Sequence, residues 1–504
     1  MREQRARAAR LRQYVWVALA LLVAIAIGAA VAWRQQQHTN SGAPTVPTLI
    51  VLPLHPDGAR HDEGVLAENL SAELIPQLAR IEGVRLIAKA SALRADADHL
   101  DAPQLARRVG VSHALEGRLR ELGGDQLHVE LRLYTVPDDR TLWSKAYDRK
   151  LADVAALERD IAQAVAQALT LPIARAGAKP AAVDPTVYRE YAEARRLAES
   201  PQRARGLDLL RALVAKAPND ARAHAALARS LASDRPSPGA YDEAAHEAEV
   251  ALELVPDLAE AHAAQAILAC HGGDWARCTD SFQRALTLDA SDAACRIGYA
   301  YWLSGLGYTE RALRESETAW LADPLSYDAN FLRARLLDTT GRHNEALDYL
   351  DAATPQAGGL IYARWHNAVW RDDLKTASSL AAAMPRSDGF RESYIVVTEA
   401  LGEPRLWPQA LPLIGTSERA NGGINVLRIM MPNPDYGIVI VGLEKMLRDG
   451  WPSYYMLLWM PEYAAMRHDP AFQDFLKRTR LLEYWREHGF PAQCHADGDG
   501  AACN

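Results

Sequence analysis

The sequence predicts a chain with three parts: an N-terminal transmembrane helix, a small α/β domain with a mixed sheet, and an all-α solenoid of helix pairs. An uncharged apolar run covers residues 14–33, and strand-like and helical patterns alternate over residues 48–172. In the middle of the chain, glycines recur at one constant spacing, at Gly239, Gly273, Gly307 and Gly341. These glycines stand 34 residues apart, and a period of that length predicts stacked pairs of antiparallel helices.

The apolar run from Tyr14 to Trp33 follows five arginines and is long enough to cross a bilayer as one helix. By the positive-inside rule, the arginines keep residues 1–13 in the cytoplasm, and the rest of the chain is exported. The predicted location is therefore the bacterial inner membrane, single-pass, with the bulk of the protein in the periplasm. The alternative is a cleaved signal peptide and a soluble periplasmic protein, because residues 30–32, Ala-Val-Ala, resemble a cleavage site.

A polar linker at residues 34–47 leads into the predicted α/β domain. The domain begins with an apolar run, an amphipathic helix and a second apolar run. A short helix and a third apolar run follow, then two alternating runs and a closing helix. These segments cover residues 49–52, 63–80, 84–88, 103–109, 114–119, 127–134, 142–147 and 153–169. Helices that alternate with strands and then give way to a hairpin indicate one compact domain over residues 48–172.

The same region resembles a known family. The segments LIVLPL (49–54), LARRVGVSHALEGRLR (105–120) and LHVELRLYTVPDDRTLWSKAYDR (127–149) are similar to the TolB amino-terminal-type domain. The resemblance implies a membrane-anchored bacterial protein with tetratricopeptide repeats, as found in CadC-like regulators and adenylate-cyclase-associated proteins. Such relatives often carry a DNA-binding or cyclase domain before the membrane helix. Only thirteen residues precede Tyr14, so a chain without that cytoplasmic effector domain is expected.

The spacing of the glycines matches the length of a tetratricopeptide repeat, which is about 34 residues. Gly273, Gly307 and Gly341 are predicted to end the first helix of each pair. Small residues are predicted where the two helices of a pair approach closely, at Ala266, Ala300 and Ala334 in the first helices and at Cys278, Ala312 and Ala346 in the second helices. After the α/β domain, the predicted boundaries are a linker over 173–186, repeats over 187–358, degenerate helical repeats and a cap over 359–490, and a flexible tail over 491–504.

The first helix of each repeat is expected to line a concave face that binds a partner. The candidate contact residues are His262, Gln265, Arg296, Tyr299, Asn330 and Arg333. They mix charged and aromatic side chains, as interfaces often do. The alternative is that these side chains are solvated or packed against a neighbouring helix.

No motif for catalysis, a cofactor or a resident metal is found, and the net charge of -8 does not favour binding to nucleic acid. Cys494 and Cys503 form a possible disulfide, and a bond between Cys270 and Cys278 is conceivable. The tail could also be interpreted as a metal site, although a disordered terminus explains it better. The ligands of that site would be Cys494, His495, Asp497 and Asp499.

The predicted function is a non-catalytic, membrane-tethered periplasmic scaffold that binds protein or peptide partners through its repeats. A sensory component that acts through a separate cytoplasmic partner is the alternative. An enzyme associated with a cyclase is the least favoured hypothesis, because no segment supplies the required site geometry.

Overall fold

The structure, a computed structural model, describes residues 46–58, 60–136, 138–174, 182–232, 238–353, 359–386, 390–420, 426–432, 434–448 and 452–504. The predicted basic tail and the predicted transmembrane helix at 14–33 lie outside these residues. Within the described ranges, no helix is both long and apolar enough to cross a bilayer. On this finding, the predicted fold class with a transmembrane helix and the predicted single-pass membrane localisation are wrong. The corrected fold is a small α/β domain followed by helical repeats, in one compact unit over Pro47–Asn504.

The α/β domain is built on one mixed sheet. Its strands are β1 (Thr48–Val51), β2 (His55–Pro56), β3 (Arg85–Leu86), β4 (His113–Gly123), β5 (Gln126–Thr135) and β6 (Arg140–Lys150). The order across the sheet is β3-β1-β4-β5-β6, and the short strand β2 also pairs with β4. Strand β1 runs parallel to β3 and β4, whereas β4, β5 and β6 are antiparallel. The sheet is therefore mixed, as the alternation of helices and then a hairpin predicted.

Helices cover both faces of this sheet. They are α1 (His61–Leu78), α2 (Lys89–Ala97), α3 (Ala102–Arg108) and α4 (Val154–Leu169). One face packs Leu115 and Val129 against α1 and α4, and the other packs Ile50 against α2 and α3. Since neighbouring residues of a strand point to opposite faces, each buried strand contributes apolar side chains to both cores.

The repeats follow as pairs of antiparallel helices. They are α5 (Pro185–Ala198), α6 (Arg203–Lys216), α7 (Ala221–Ala232), α8 (Pro238–Leu254), α9 (Ala259–His271), α10 (Trp275–Leu288), α11 (Ala293–Gly305), α12 (Thr309–Ala322), α13 (Tyr327–Thr339) and α14 (His343–Ala352). Gly273, Gly307 and Gly341 turn the chain between the helices of a pair with φ of 72°, 91° and 74°. Such positive φ values favour glycine. The close-packing positions Ala266, Ala300, Ala334, Cys278, Ala312 and Ala346 are all 0% exposed.

The last third of the chain contains less regular helices, and the C-terminal ones pack against the repeats. They are α15 (Gly359–Trp370), α16 (Leu374–Ala383), α17 (Arg391–Gly402), α18 (Trp407–Ala420), α19 (Tyr436–Arg448), α20 (Ala464–Arg467), α21 (Pro470–Arg478) and α22 (Leu481–His488). The indole N–H groups of Trp459 and Trp485 donate to the backbone oxygens of Gly305 and Leu306, at 3.1 and 3.0 Å. The C-terminal segment thereby covers the end of the first helix α11, as a terminal cap of a solenoid does.

The final residues form a hairpin where the sequence predicted a flexible tail. Strands β7 (Cys494–Asp497) and β8 (Gly500–Cys503) pair with Cys494 opposite Cys503, and the two cysteines are bonded to each other. Arg467 donates to the backbone oxygen of Asn504 at 2.7 Å, which holds the end of the hairpin. The tail is polar in sequence, so these long-range contacts could not be read from its own residues.

We expect Gly307→Ala to destabilise the protein more than Gly341→Ala. Both glycines have positive φ, which costs an L-residue about 1–2 kcal/mol. A Cβ at Gly307 would also lie 3.1 Å from Trp459 and Pro491, whereas at Gly341 the nearest atom is 3.9 Å away. Overpacking should add about 1–2 kcal/mol at Gly307 alone. Urea denaturation of the full chain measures the difference, and equal losses for the two variants would contradict this account of the cap.

Candidate partner-binding groove

Three of the predicted partner-binding residues join neighbouring repeats. His262, Arg296 and Asn330 are one repeat apart from each other, and each contacts the backbone oxygen six residues earlier. Those oxygens follow the ends of second helices, where carbonyls have no partner within the helix. The contacts are His262 Nε2 with Pro256 (2.9 Å), Arg296 Nη2 with Ala290 (3.3 Å) and Asn330 Nδ2 with Pro324 (2.8 Å). These side chains are thus occupied by contacts within the protein.

The other three predicted residues contact second helices. Gln265 accepts from Ser281 Oγ (3.4 Å), Tyr299 OH accepts from Gln283 Nε2 (3.0 Å), and Arg333 Nη1 donates to the Leu313 oxygen (2.9 Å). Tyr299 is 3% exposed and Arg333 is 8% exposed. The predicted helix face is therefore the packed one, and partner binding by the six residues stays a prediction.

The open face of the first helices carries a different set of repeating residues. These residues are Glu260, Ala294 and Asp328, and each lies two positions before His262, Arg296 or Asn330. Ala294 and Asp328 are exposed. Ile267 and Tyr301 lie two positions after Gln265 and Tyr299 of the predicted set, and both are half-buried. A helix turns about 100° per residue, so a shift of two residues leads to the other side. The prolines at 256 and 324, six residues before a polar side chain, were the signal that could have fixed the register.

Two of the contacts between the α/β domain and the repeats lie far apart along the row of helices. At the first, Asn69 of α1 donates to the hydroxyl of Tyr188 in α5 at 2.9 Å. At the second, the backbone N–H of Ala88 donates to the backbone oxygen of Ala322 at 2.7 Å. The first helices α7, α9 and α11 lie between these attachments in the chain. We call the space between α1 and α2 on one side and α7, α9, α11 and α13 on the other the groove.

The second attachment is an N-terminal cap supplied by another part of the chain. Helix α2 begins after Ala88, which has no side-chain acceptor for the first amides. Asp323 supplies the missing acceptor. Its Oδ1 accepts from the backbone N–H of Ser91 (2.8 Å) and from Ser91 Oγ (2.6 Å). Ser91 Oγ in turn accepts from the N–H of Leu325 (2.9 Å). Burial raises the pKa of Asp323 to about 6, against the opposing effect of the Ser91 hydrogen bonds.

Carboxylates outnumber cations around Arg195 and Lys89. Arg195 is shared by Glu73 (3.2 Å), Glu199 (3.2 Å) and Glu260 (3.7 Å). Lys89 is shared by Glu199 (2.9 Å) and Glu68 (3.4 Å). Two cations therefore face four carboxylates in this part of the groove. Burial raises the pKa of Glu260, although the charges of Arg195 and Arg229 oppose the shift.

Four of the cysteines form disulfides. Cys270 is bonded to Cys278 across α9 and α10, and Cys295 is free and buried. Because Cys494 is bonded to Cys503, its sulfur is not a free ligand for the metal site considered in the tail. Over the described ranges, no group of three or more His, Cys, Asp or Glu residues could hold a metal ion.

Comparison with known proteins gives distant similarities. No family model matches the chain. A putative adenylate cyclase 3 from Rhizobium meliloti (strain 1021) is 24% identical over 130 residues, which are 26% of this chain and 22% of that protein. The chain thus spans about a fifth of the length of this curated relative. The TolB amino-terminal-type resemblance and the CadC-like context stay predictions.

Similar solved structures are tetratricopeptide repeat proteins. The protein TTC0263 of Thermus thermophilus is 15% identical with a TM-score of 0.32, over 37% of this chain and 98% of that chain. YrrB, a repeat protein with an unusual peptide-binding site, is 17% identical with a TM-score of 0.25, over 38% of this chain and 89% of that chain. These scores are low, so the assignment of repeats here depends on the chain's own period and helix pairs.

Proposed function

We propose that this protein is a non-catalytic scaffold that binds a protein or peptide segment in the groove. The observation that carries the proposal is the difference between two faces of the first helices. One face is occupied by contacts within the protein, at His262, Arg296 and Asn330. The face with Ala294 and Asp328 recurs at the same period and stays exposed. Stacked repeats that present such a periodic open surface are suited to binding an extended partner.

The chemistry of this face supports a peptide over a purely polar ligand. Tyr327 and Phe331 stack with ring centroids 5.4 Å apart beside Asp328, and both rings are half-buried. Aromatic side chains that are partly open to solvent are typical anchors of protein interfaces. We also propose that the α/β domain is of the TolB amino-terminal type, on the sequence segments quoted above, and that it forms one wall of the binding site.

A blocking substitution tests the proposed function. Peptides selected from a random library for binding to the full chain should lose at least tenfold in affinity for Ala294→Trp, because the indole would fill the exposed centre of the groove. Fluorescence anisotropy with the selected peptides measures the dissociation constant.

The matched control is Ala245→Trp, which adds the same side chain to an exposed alanine on the second helix α8. It should leave the affinity unchanged. If Ala245→Trp weakened binding and Ala294→Trp did not, the partner would bind the outer face and the proposed groove would be wrong.

A further inference from the structure

The groove holds more negative charge than its own cations neutralise. Besides the four carboxylates that share Lys89 and Arg195, Asp328 has no ion pair or hydrogen bond among the described residues. The surrounding protein raises the pKa of Asp328 although the residue itself is exposed. Stacked helix pairs of this kind present a concave surface. Concave walls of one charge sign concentrate the electrostatic potential and attract the opposite charge.

An unpartnered buried carboxyl lies beside this cluster. Glu158 of α4 is 5% exposed, and its side chain makes no hydrogen bond or ion pair with any described residue. Its pKa is raised well above the ordinary value by burial and by the charge of Glu73, while Arg222 opposes the shift. The carboxyl oxygens of Glu158 keep some access to solvent, so water or a cationic side chain of a partner can reach them.

The cations already present are committed elsewhere. Arg195 contacts three carboxylates, Arg229 pairs with Asp292 at 2.9 Å, and Arg222 pairs with Asp220 at 3.0 Å. None of them contacts Glu158 within ion-pair distance. A side chain that brings its own positive charge and several N–H donors would satisfy Glu158 and the shared carboxylates together.

We propose that the partner segment carries lysine or arginine side chains, one of which binds among Glu73, Glu158 and Glu260 while another pairs with Asp328. This inference rests on the proposed peptide-binding function and specifies the charge of the peptide. The carboxylates come from both parts of the protein, with Glu68 and Glu73 on α1 of the α/β domain and Glu260 on α9 of the repeats. The aromatic pair Tyr327 and Phe331, next to Asp328, adds ring faces on which a cation can rest.

The test uses the full chain and three short synthetic peptides of equal length. Alanine alternates with lysine in the first, with glutamate in the second and with serine in the third. The lysine peptide should bind, the other two should not, and the affinity should fall with increasing salt. Glu260→Gln and Asp328→Asn should each lower the affinity for the lysine peptide about tenfold, as loss of one partner of a charge pair does. Glu253→Gln, at an exposed glutamate on α8, is the matched control and should have no effect.

Asp328→Asn keeps the test informative if Glu260→Gln impairs folding, because Asp328 makes no hydrogen bond or ion pair with the described residues that the change could remove. The inference would be overturned if the acidic or neutral peptide bound equally well, or if both groove variants bound the lysine peptide as the wild type does. Lysine amide that competes as strongly as the peptide would point to a small-amine site and would also overturn it. If Ala294→Trp still abolished binding of the library peptides, the scaffold function would stand and only the charge of the partner would be wrong.

Discussion

Gly206→Ala should cost the protein about 3 kcal/mol of its free energy of unfolding, at the upper end of what overpacking a well-packed core costs. Gly206 lies in α6, and a Cβ at this position would be 2.2 Å from the backbone nitrogen of Ala198 and 2.6 Å from its Cα. Backbone atoms cannot swing aside as a flexible side chain can, so α5 and α6 would have to separate. Tyr188 and Tyr191 of α5 are each 1% exposed and resist that movement.

Urea denaturation of the full chain, followed by circular dichroism, measures this loss. Gly64→Ala is the matched control, since Gly64 lies inside helix α1 and a Cβ there would meet nothing within 4 Å. That variant should gain up to about 1 kcal/mol, because alanine has the higher helix propensity. Similar stabilities for the two variants would show that α5 and α6 can move apart freely.

Asp323→Ala should release helix α2 from the repeats and cost about 2–3 kcal/mol, because it leaves a buried amide without a partner. The substitution removes the acceptor of two hydrogen bonds from Ser91. Loss of a helix cap alone is worth about 1 kcal/mol, and the desolvated amide adds to it. Asp323→Asn retains a carbonyl oxygen and should cost less than half as much.

Hydrogen exchange separates local release of α2 from global destabilisation. The amides of Lys89–Ala97 should exchange faster in Asp323→Ala, while those of α4 should keep their protection. Asp328→Ala removes an exposed carboxylate five residues away and should leave the exchange of α2 unchanged. Unchanged protection of α2 in Asp323→Ala would mean that the second attachment does not depend on this cap.

Local patterns predicted the parts of the fold that depend on short stretches of sequence. The alternating runs predicted β5 and β6, and the glycines at 273, 307 and 341 marked turns that the chain makes with positive φ. Local patterns could not predict contacts between residues that are far apart in the sequence. Nothing near Ser91 shows that residue 323 caps its helix, and nothing in the polar tail shows that Asn504 is held by Arg467.

The candidate partner-binding residues lie on the packed side of the first helices, and partner binding by them stays a prediction. Polar residues such as Asn330 and Arg333 were taken for surface because polar side chains are usually exposed. Here they are buried, and carbonyls near the helix ends satisfy them. Glu158 could not be found from sequence at all, since one glutamate in an amphipathic helix is ordinary until the helices around it are known.

A row of stacked helix pairs is elastic, because each pair contacts only its neighbours and small rotations add up along the row. In this protein the α/β domain connects two separate points of the row. The α/β domain contacts α5 through Tyr188 and reaches the far side at Asp323. The repeats between those two contacts cannot stretch or coil without breaking one of them. The width of the groove is thus set by the rigid sheet domain, and a change that loosens α2 would alter the curvature of repeats that it does not touch.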